Sequence, residues 1–476
     1  MIFNSFQFLW LFPIVFAGYY AISFLMQKKE HASWSNYLLL CLSYALYMQY
    51  MPWCALILFW VTLDTYIAAL LINRNKKYNI WICWSGAIVG VFPLLLFKYY
   101  NFIADNINEL QGTHCLSGLN WAIPIGISFF SFQAIGYLVD VYKGRILAEK
   151  NFVDYALFIS FFPQIMSGPI SKANELLPQI KNRRLFDYSK AVQGLKLLLW
   201  GMFLKTVMAD RLGLYVDSVY GNYQYQSGLS CLFASIMYTM QIYGDFAGYS
   251  LMAIGVGKLM GFDLTNNFNR PYFASSITEF WKRWHISLTR WLTTYIYIGL
   301  GGNRCSKIRQ YLNIMITFLV SGIWHGANWT FILWGLAHGI LQCGEKILGL
   351  DPKGRYSHSH ILRCLKPIRI LLTFVLVDFA WILFRSPTFD IAKNVFRKIF
   401  VLEGSGIFLP SNSTLGFMIL ALIVVIVKEF CEEYLPNVQL FENKNRIIRW
   451  TSYLAIIVII LLCGVFDSSQ FIYVKF

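Results

Sequence analysis

Two histidines in apolar surroundings are the residues of this chain best suited to chemistry. His325 lies in the middle of LNIMITFLVSGIWHGANWTFILWGLAHGILQCGE, the apolar stretch 312–345, and His285 ends the segment TEFWKRWH. An ionisable side chain is costly in hydrocarbon, so its presence in such a stretch indicates a functional site. Histidine also exchanges protons near neutral pH, as a general acid or base must. The alternative interpretation of His325 is a polar residue that forms a hydrogen bond between packed helices.

The chemistry that these residues permit is acyl transfer to a hydroxyl group. That reaction needs a base for the hydroxyl proton, hydrogen-bond donors for the oxyanion and a slot for the acyl donor. His325 can act as the base, and Asn328, three residues further on and on roughly the same helix face, can donate the hydrogen bond. Lys282, Arg283 and Arg304 can meet the phosphates of a nucleotide-type donor, although contacts with lipid headgroups explain each of them equally well.

Other residues near these histidines are candidates for binding a substrate or lining a tunnel. Trp281, His285 and Leu288 fall on one face of a predicted amphipathic helix at the membrane interface. Trp324 directly precedes the central histidine. Asp245 lies in an apolar run, where it can orient a substrate or bind a neighbouring helix.

The remaining titratable residues form no further catalytic grouping in the sequence. His338 is thirteen positions beyond His325, which corresponds to about 20 Å along a continuous helix, so we expect the two to lie apart. The 10 cysteines are scattered without CxxC pairs. They are predicted to be small buried hydrophobes, and no metal site is predicted.

The composition places this chemistry in a membrane. Of the 476 residues, 57% are hydrophobic and only 13% are charged, about half the charged fraction of a soluble protein. The apolar runs are continuous rather than short and alternating, which predicts an all-α polytopic protein in a lipid bilayer and excludes a closed barrel. The net charge of +16 comes from short basic clusters between these runs. Such clusters are typical of cytoplasmic loops facing an anionic leaflet, and not of nucleic-acid binding.

The apolar runs predict about 11 to 13 transmembrane or re-entrant helices. Pro52 divides one long run into two spans, whereas residues 101–120 and 215–228 are predicted external loops. Two prolines and a glycine interrupt another run at FPQIMSGPI, which predicts a re-entrant segment lining a pocket, or else a span that ends at Pro163. We predict a single membrane domain over residues 1–476, with N-terminal spans in 1–150, a catalytic core in 151–345 and C-terminal spans in 346–476.

Several motifs, in chain order, resemble the membrane-bound O-acyltransferase family and its alginate O-acetylation branch. They are YGDFAGYSLMAIGVGKLMGFDLTNNFNRPYFASSITEFWKRWHISLTRWL, YIGLGGNR and SGIWHGANWTFILWGLAHG, together with FPQIMSGPI and the C-terminal FDSSQFIY. The resemblance covers nearly the whole chain. It implies helices around a central tunnel, with the family's WHG histidine at His325 and its second signature histidine at His285. Thr293 and Thr294 depart from the Arg-Asp usual in the branch, and Gly299 stands where proline is usual.

The resemblance implies an enzyme that takes an acyl group, usually acetyl, from a cytoplasmic thioester such as acetyl-CoA. The acyl group would pass outward for O-acetylation of an exported polysaccharide. A multi-pass protein of the bacterial cytoplasmic (inner) membrane, a periplasmic acyltransferase partner and no bound cofactor are also implied. Alternatives within the family are D-alanyl transfer to teichoic acid and acetyl transfer to peptidoglycan, because a fold does not determine its substrate. Outside the family, a proton-coupled transporter or a non-catalytic acyl conduit fits the same histidines.

Overall fold

The computed structural model of the chain is all-α, as the apolar runs predict. It describes residues 3, 5–25, 33–49, 51–75, 77–112, 115–166, 168–354, 361, 364–435, 437–438 and 441–466. No β-strand occurs among these residues, so the predicted fold class is confirmed. Most of the C-terminal motif FDSSQFIY lies outside the described residues.

The helices follow the apolar runs of the sequence. In chain order they are α1 (Phe6–Leu25), α2 (Ser33–Met48), α3 (Cys54–Arg74), α4 (Asn79–Leu94), α5 (Tyr100–Gln111), α6 (Ile127–Tyr142), α7 (Phe152–Ser160), α8 (Phe162–Ile165), α9 (Ala173–Lys181), α10 (Tyr188–Met202), α11 (Asp210–Gly221), α12 (Gly228–Leu259), α13 (Ile277–Arg283), α14 (Ile286–Leu292), α15 (Lys307–His325), α16 (Trp329–Ile347), α17 (Lys366–Arg385), α18 (Phe389–Val401), α19 (Asn412–Tyr434) and α20 (Arg446–Cys463). Stretches of π-helix at Leu95–Tyr99 and Phe203–Ala209 join α4 to α5 and α10 to α11, and a third at Thr293–Tyr297 extends α14.

Many of these helices are long and apolar enough to cross a membrane. Seven such segments occur in the described part of the chain: Phe6–Leu25, Cys54–Arg74, Asn79–Gln111, Tyr188–Gly221, Lys366–Arg385, Asn412–Tyr434 and Arg446–Cys463. The more polar helices α12, α15 and α16 have 32, 19 and 19 residues, which is also enough to cross at about 1.5 Å per residue. A polytopic membrane fold is therefore confirmed, and the arrangement around a central tunnel stays a prediction.

Two stretches predicted as external loops, 101–120 and 215–228, are partly helical instead. The helix α4 continues through its π-helical stretch into α5, and α10 continues in the same way through α11. Their polar side chains conceal these helices from a prediction based on hydropathy, since a helix at a surface needs only one apolar face. The amphipathic helix α18 was not predicted either.

The chain forms two compact units. The first comprises Met1–Leu198 with Met252–Thr265, and the second comprises Leu199–Leu251 with Asn266–Phe476. In the first unit, α3 packs closely against α4 and α6. All candidate catalytic and substrate-binding residues of the sequence analysis belong to the second unit.

The backbone break predicted at FPQIMSGPI is present in the first unit. Phe161, with φ −50° and ψ 110°, separates α7 from α8. At this break, buried polar side chains bond to the main-chain groups that would have bonded to each other in a continuous helix. Phe162 N donates to Ser43 Oγ at 3.1 Å, and Gln133 Nε2 donates to Phe158 O at 2.5 Å. These bonds explain how a broken helix is tolerated among apolar residues, while its role in lining a pocket stays a prediction.

In the second unit, α15 and α16 form an antiparallel hairpin held by close backbone contact. A Cβ added to Gly322 would lie 2.4 Å from Phe331 O, and one added to Gly335 would lie 2.3 Å from Phe318 O. Only glycine permits the two helices to approach so closely. The apolar stretch 312–345 is therefore two helices and not one continuous span.

Candidate active site

His325 is the last residue of α15, at the tip of the hairpin. Its side chain is buried among aromatic rings, with centroid distances of 4.8 Å to Trp324, 5.0 Å to Trp334 and 5.2 Å to Phe384. The helix ends here because Gly326 is extended and the chain turns back. The imidazole therefore lies at a chain reversal lined by apolar surface, where its electrostatic interactions are little screened by water.

His285 lies in a backbone break between α13 and α14. Its φ of 42° is in the left-handed region, which costs a residue with a Cβ about 1–2 kcal/mol. The single helix predicted to carry Trp281, His285 and Leu288 on one face is therefore wrong. α13 begins after Ser276, whose Oγ caps the helix by accepting a hydrogen bond from Glu279 N at 3.0 Å.

Asn267 holds this break in place. Its main-chain oxygen accepts from Ile286 N at 2.9 Å, and its side-chain Oδ1 accepts from Ser287 N at 3.1 Å. These are the first two N–H groups of α14, which have no partner within the helix itself. The His285 ring is fully buried and packs edge-on against Phe246 at 4.6 Å. Burial lowers the pKa of His285 to about 3, so its imidazole is neutral at physiological pH.

The indole of Trp324 joins the two histidines. Its ring centroid is 4.8 Å from that of His325 and 5.8 Å from that of His285. The structure thus brings together two histidines that are forty residues apart in the sequence.

The expectation that His338 lies far from His325 is wrong. It assumed a continuous helix, whereas the hairpin returns α16 alongside α15. Trp334 lies between the two histidines, with its ring centroid 5.0 Å from each imidazole. Trp281 Nε1 donates to His338 Nδ1 at 3.3 Å, so a neutral His338 carries its proton on Nε2.

Asn328 does not occupy the predicted position on the helix face of His325. It is the N-cap of α16, where Oδ1 accepts from Thr330 N at 3.0 Å. Its Nδ2 donates to Pro387 O at 2.7 Å. Both ends of the amide are therefore engaged in holding the hairpin tip, and the predicted contact with an oxyanion is not supported.

Asp245 forms part of a buried ionic cluster. Lys205 Nζ lies 2.6 Å from Asp245 Oδ1 and 2.6 Å from Asp210 Oδ1, and all three side chains are about 1% exposed. Of the two roles predicted for Asp245, the structure supports binding to a neighbouring helix. Lys205 was not predicted from the sequence, although a lysine inside an apolar run indicates a paired charge.

Of the three predicted phosphate-binding residues, Lys282 lines the cavity described in the next paragraph, and Arg283 and Arg304 do not. Arg283 Nη2 is paired with Glu279 Oε1 at 2.7 Å and with Glu433 Oε1 at 2.9 Å. Arg304 is exposed on a turn and is absent from the cavity lining. Arg283 therefore holds the end of α13 in place, and Lys282 remains the candidate for contact with an anion.

The cavity that Lys282 lines has a volume of about 250 Å³. Its walls include Trp281, Lys282, Thr293, Ser321, Gln342 and Lys346. Two lysines line it, and none of the described residues that line it carries a carboxylate. Thr293, one of the positions that departs from the family pattern, also lies in this wall. Ser321 and Lys346 were not among the residues predicted from the sequence.

No metal site emerges from the part of the chain that the structure describes. Within it, no group of three or more His, Cys, Asp or Glu side chains is placed to hold a metal ion.

Known proteins are similar in sequence to this chain over most of its length. Residues 1–350 match the model of the membrane-bound O-acyltransferase family. The probable alginate O-acetylase AlgI of Pseudomonas aeruginosa is 37% identical over 407 residues, which cover 84% of this chain and 75% of that protein. The peptidoglycan O-acetyltransferase of Helicobacter pylori is 34% identical over 439 residues, covering 85% and 80%. The teichoic acid D-alanyltransferase of Streptococcus thermophilus is 31% identical over 282 residues, covering 56% and 64%. The chain therefore belongs to the membrane-bound O-acyltransferase family and is an O-acyltransferase.

Proposed function

We propose that this enzyme transfers an acetyl group from a thioester donor to hydroxyl groups of an exported, alginate-like polysaccharide. The observation that carries the proposal is the pair of histidines on one indole, with a cationic cavity that reaches Ser321, one helical turn before His325. The Pseudomonas aeruginosa relative, a probable alginate O-acetylase, supports the acetyl group and the acceptor class.

In the proposed reaction, His325 acts as the general base. It takes the proton of the acceptor hydroxyl while that oxygen attacks the thioester carbonyl carbon. When the tetrahedral intermediate collapses, the new C–O bond remains, the C–S bond breaks, and the thiol leaves with the proton from His325. The neutral His285 also packs against Trp324, and in this proposal it orients the reacting groups.

The cavity is the proposed site of the donor. Lys282 and Lys346 both line it, and lysine ammonium groups bind phosphates through charge-assisted hydrogen bonds. Acetyl-CoA is therefore our preferred donor, with its phosphates at the lysines and its thioester deeper in the cavity.

The hairpin gives this transfer a direction. α15 begins at Lys307, and Lys346 lies in the last turn of α16, so the hairpin is basic at the end opposite its tip. Each helix has 19 residues, which puts the tip with His325 about 28 Å along the hairpin from this basic end. Basic residues favour the cytoplasmic side of a membrane. We propose that the donor enters from the cytoplasm and that the acceptor, or a periplasmic acyltransferase partner, approaches from the other side of a bacterial inner membrane. In this proposal, the whole chain works as one domain around a tunnel.

Acetyl transfer to peptidoglycan is the second candidate function. It is supported by the Helicobacter pylori relative, which matches as much of this chain as the alginate relative does. The chemistry at His325 would be the same, and only the acceptor would differ. D-alanyl transfer has weaker support, because the teichoic acid enzyme covers only 56% of the chain.

The test is thiol release from acetyl-CoA by the purified protein in nanodiscs. Removing a general base slows a reaction by about 10²–10⁴-fold, so His325→Ala should lower the rate per folded protein by about 10³-fold. The matched control is His338→Asn, which changes an equally buried histidine of the hairpin and keeps an acceptor for Trp281. We expect this variant to stay within about threefold of wild type. Adding alginate or peptidoglycan fragments then identifies the acceptor that becomes acetylated.

Three outcomes would contradict the proposal. Normal thiol release by folded His325→Ala would exclude His325 as the base. Release only in the presence of a partner enzyme would favour an acyl conduit. No release from folded wild-type protein, together with solute flux that depends on a proton gradient, would favour a transporter.

A further inference from the structure

Four polar residues follow one another at four-residue intervals along α15. They are Asn313, Thr317, Ser321 and His325. Residues four apart lie on the same side of an α-helix, so these side chains form a stripe that leads up the helix to the histidine. Thr317 and Ser321 both line the cationic cavity, and Ser321 is the one of the two nearer to His325.

The first two members of this stripe use their hydrogen-bond donors within the protein. Asn313 Nδ2 lies 3.3 Å from both Leu300 O and Gly302 O, and so anchors the glycine-rich turn. Thr317 Oγ1 donates to Asn313 O at 2.6 Å, within its own helix. These polar groups therefore have structural partners.

Ser321 differs from them, because its Oγ makes no hydrogen bond with any of the residues that the structure describes. The residue is only 1% exposed. A buried hydroxyl without a partner costs about 1–3 kcal/mol. The hydroxyl lines the donor cavity and lies one turn, about 6 Å, before His325. A group that enters this cavity would meet an unused donor one helical turn from the proposed base.

We propose that Ser321 supplies the hydrogen bond that stabilises the oxyanion of the reaction. This assignment rests on the proposed acetyl transfer and gives Ser321 the role that the sequence analysis predicted for Asn328. As the hydroxyl oxygen bonds to the carbonyl carbon, the C=O electron pair moves to oxygen. That oxygen accepts a hydrogen bond from Ser321 Oγ, and Ser321 keeps its proton throughout. The pair returns to form the ester carbonyl as the thiol leaves.

The test is the steady-state kinetics of Ser321→Ala with acetyl-CoA. Removing one oxyanion donor lowers kcat by about 10²–10³-fold. We therefore expect kcat to fall about 100-fold while KM for acetyl-CoA changes less than threefold, because the bond strengthens in the transition state. Ser321→Thr keeps a hydroxyl and should retain most of the rate.

Ser250→Ala is the matched control. Ser250 is also 1% exposed, its Oγ also lacks a hydrogen bond among the described residues, and it does not line the cavity. It should leave kcat unchanged. Because neither hydroxyl has a partner in the described part of the protein, neither alanine variant should lower the melting temperature.

Two donor analogues test the contact without turnover. In one analogue, a methylene group replaces the sulfur of acetyl-CoA and the carbonyl is kept. In S-ethyl-CoA, the carbonyl oxygen is missing. Wild type should bind the first more tightly by about two- to threefold, and Ser321→Ala should bind the two equally. Wild-type kcat and an unchanged preference in Ser321→Ala would overturn the assignment. A wild-type enzyme that releases no thiol would instead overturn the proposed function, and the binding preference would still report on Ser321.

Discussion

The two histidines of the site are held by opposite kinds of structure. His325 ends a regular helix, and its position follows from a hairpin whose glycines allow backbone contact. His285 sits in a backbone break with left-handed geometry, secured from outside by Asn267. Helical packing positions the first side chain without local strain, whereas the second is stable only while neighbouring hydrogen bonds offset about 1–2 kcal/mol of strain.

This difference separates two kinds of failure. Substitutions in the hairpin should lower the stability of the folded protein, because α15 and α16 depend on close packing against each other. Damage around His285 should leave folded protein that reacts slowly, because the break can relax to an ordinary conformation.

The largest effect is expected from Gly335→Ala in the hairpin. The added Cβ would lie 2.3 Å from Phe318 O, a backbone atom that cannot move away without separating the helices. We expect a loss of about 2–3 kcal/mol in the free energy of unfolding, measured as a lower melting temperature in detergent. Gly344→Ala makes the same change on the same helix where no atom lies within 4 Å of the new Cβ. Gly344→Ala should be neutral or stabilising by up to about 1 kcal/mol. Equal melting temperatures for the two variants would contradict the explanation that close backbone contact holds the hairpin together.

A smaller effect is expected from Asn267→Leu, next to His285. The change removes the acceptor for Ser287 N, so the break loses one of its two hydrogen bonds to Asn267. A buried hydrogen bond contributes about 1–2 kcal/mol, which corresponds to a roughly tenfold lower kcat for thiol release with an unchanged KM. Asn267→Asp keeps the acceptor and should lie closer to wild type. Equal activity in the two variants would show that His285 does not need this support.

The smallest expected effect is the pH dependence of the stability of α13, the helix that precedes His285. Glu279 is partly buried, which raises its pKa, but hydrogen bonds from Ser275 N and Oγ and the pairing with Arg283 outweigh burial and hold the pKa below its ordinary value. A carboxylate with a lowered folded-state pKa stabilises the folded protein above its unfolded pKa of about 4.3. This stability is lost as the pH falls through the folded-state pKa.

The partly exposed position of Glu279 limits the effect to a few tenths of a kcal/mol. Hydrogen exchange of α13, compared between wild type and Glu279→Gln, should differ at pH 6 and converge as the pH falls below 4. The hairpin amides should show no such difference. A difference that grows as the pH falls would contradict the assigned direction of the shift.

Much of the fold follows from the sequence, because long apolar runs have few alternatives to helices that cross a membrane. The helix break at FPQIMSGPI also follows, since proline and glycine act locally. The reversal at Gly326 was missed, although Asn328 is a favourable N-cap and its place just before an apolar run was a usable signal. The partners of Asp245 and His338 depend on which helices meet, and residue spacing carries no information about that. Ser321 could have been noticed from the four-residue spacing of polar residues on α15.

The cationic cavity also imposes a length on its ligand. Lys346 is eleven residues beyond Gly335, which packs beside Gly322 and hence level with Ser321. That separation is about 16 Å along the helix axis. A ligand that engages both ends must carry its anionic group and its acyl group on a long flexible arm, as pantetheine thioesters do. In acetyl phosphate these groups adjoin, so it can reach one end or the other but not both. If the proposed donor site is correct, the hairpin selects donors by the distance between their anionic group and their reactive carbon.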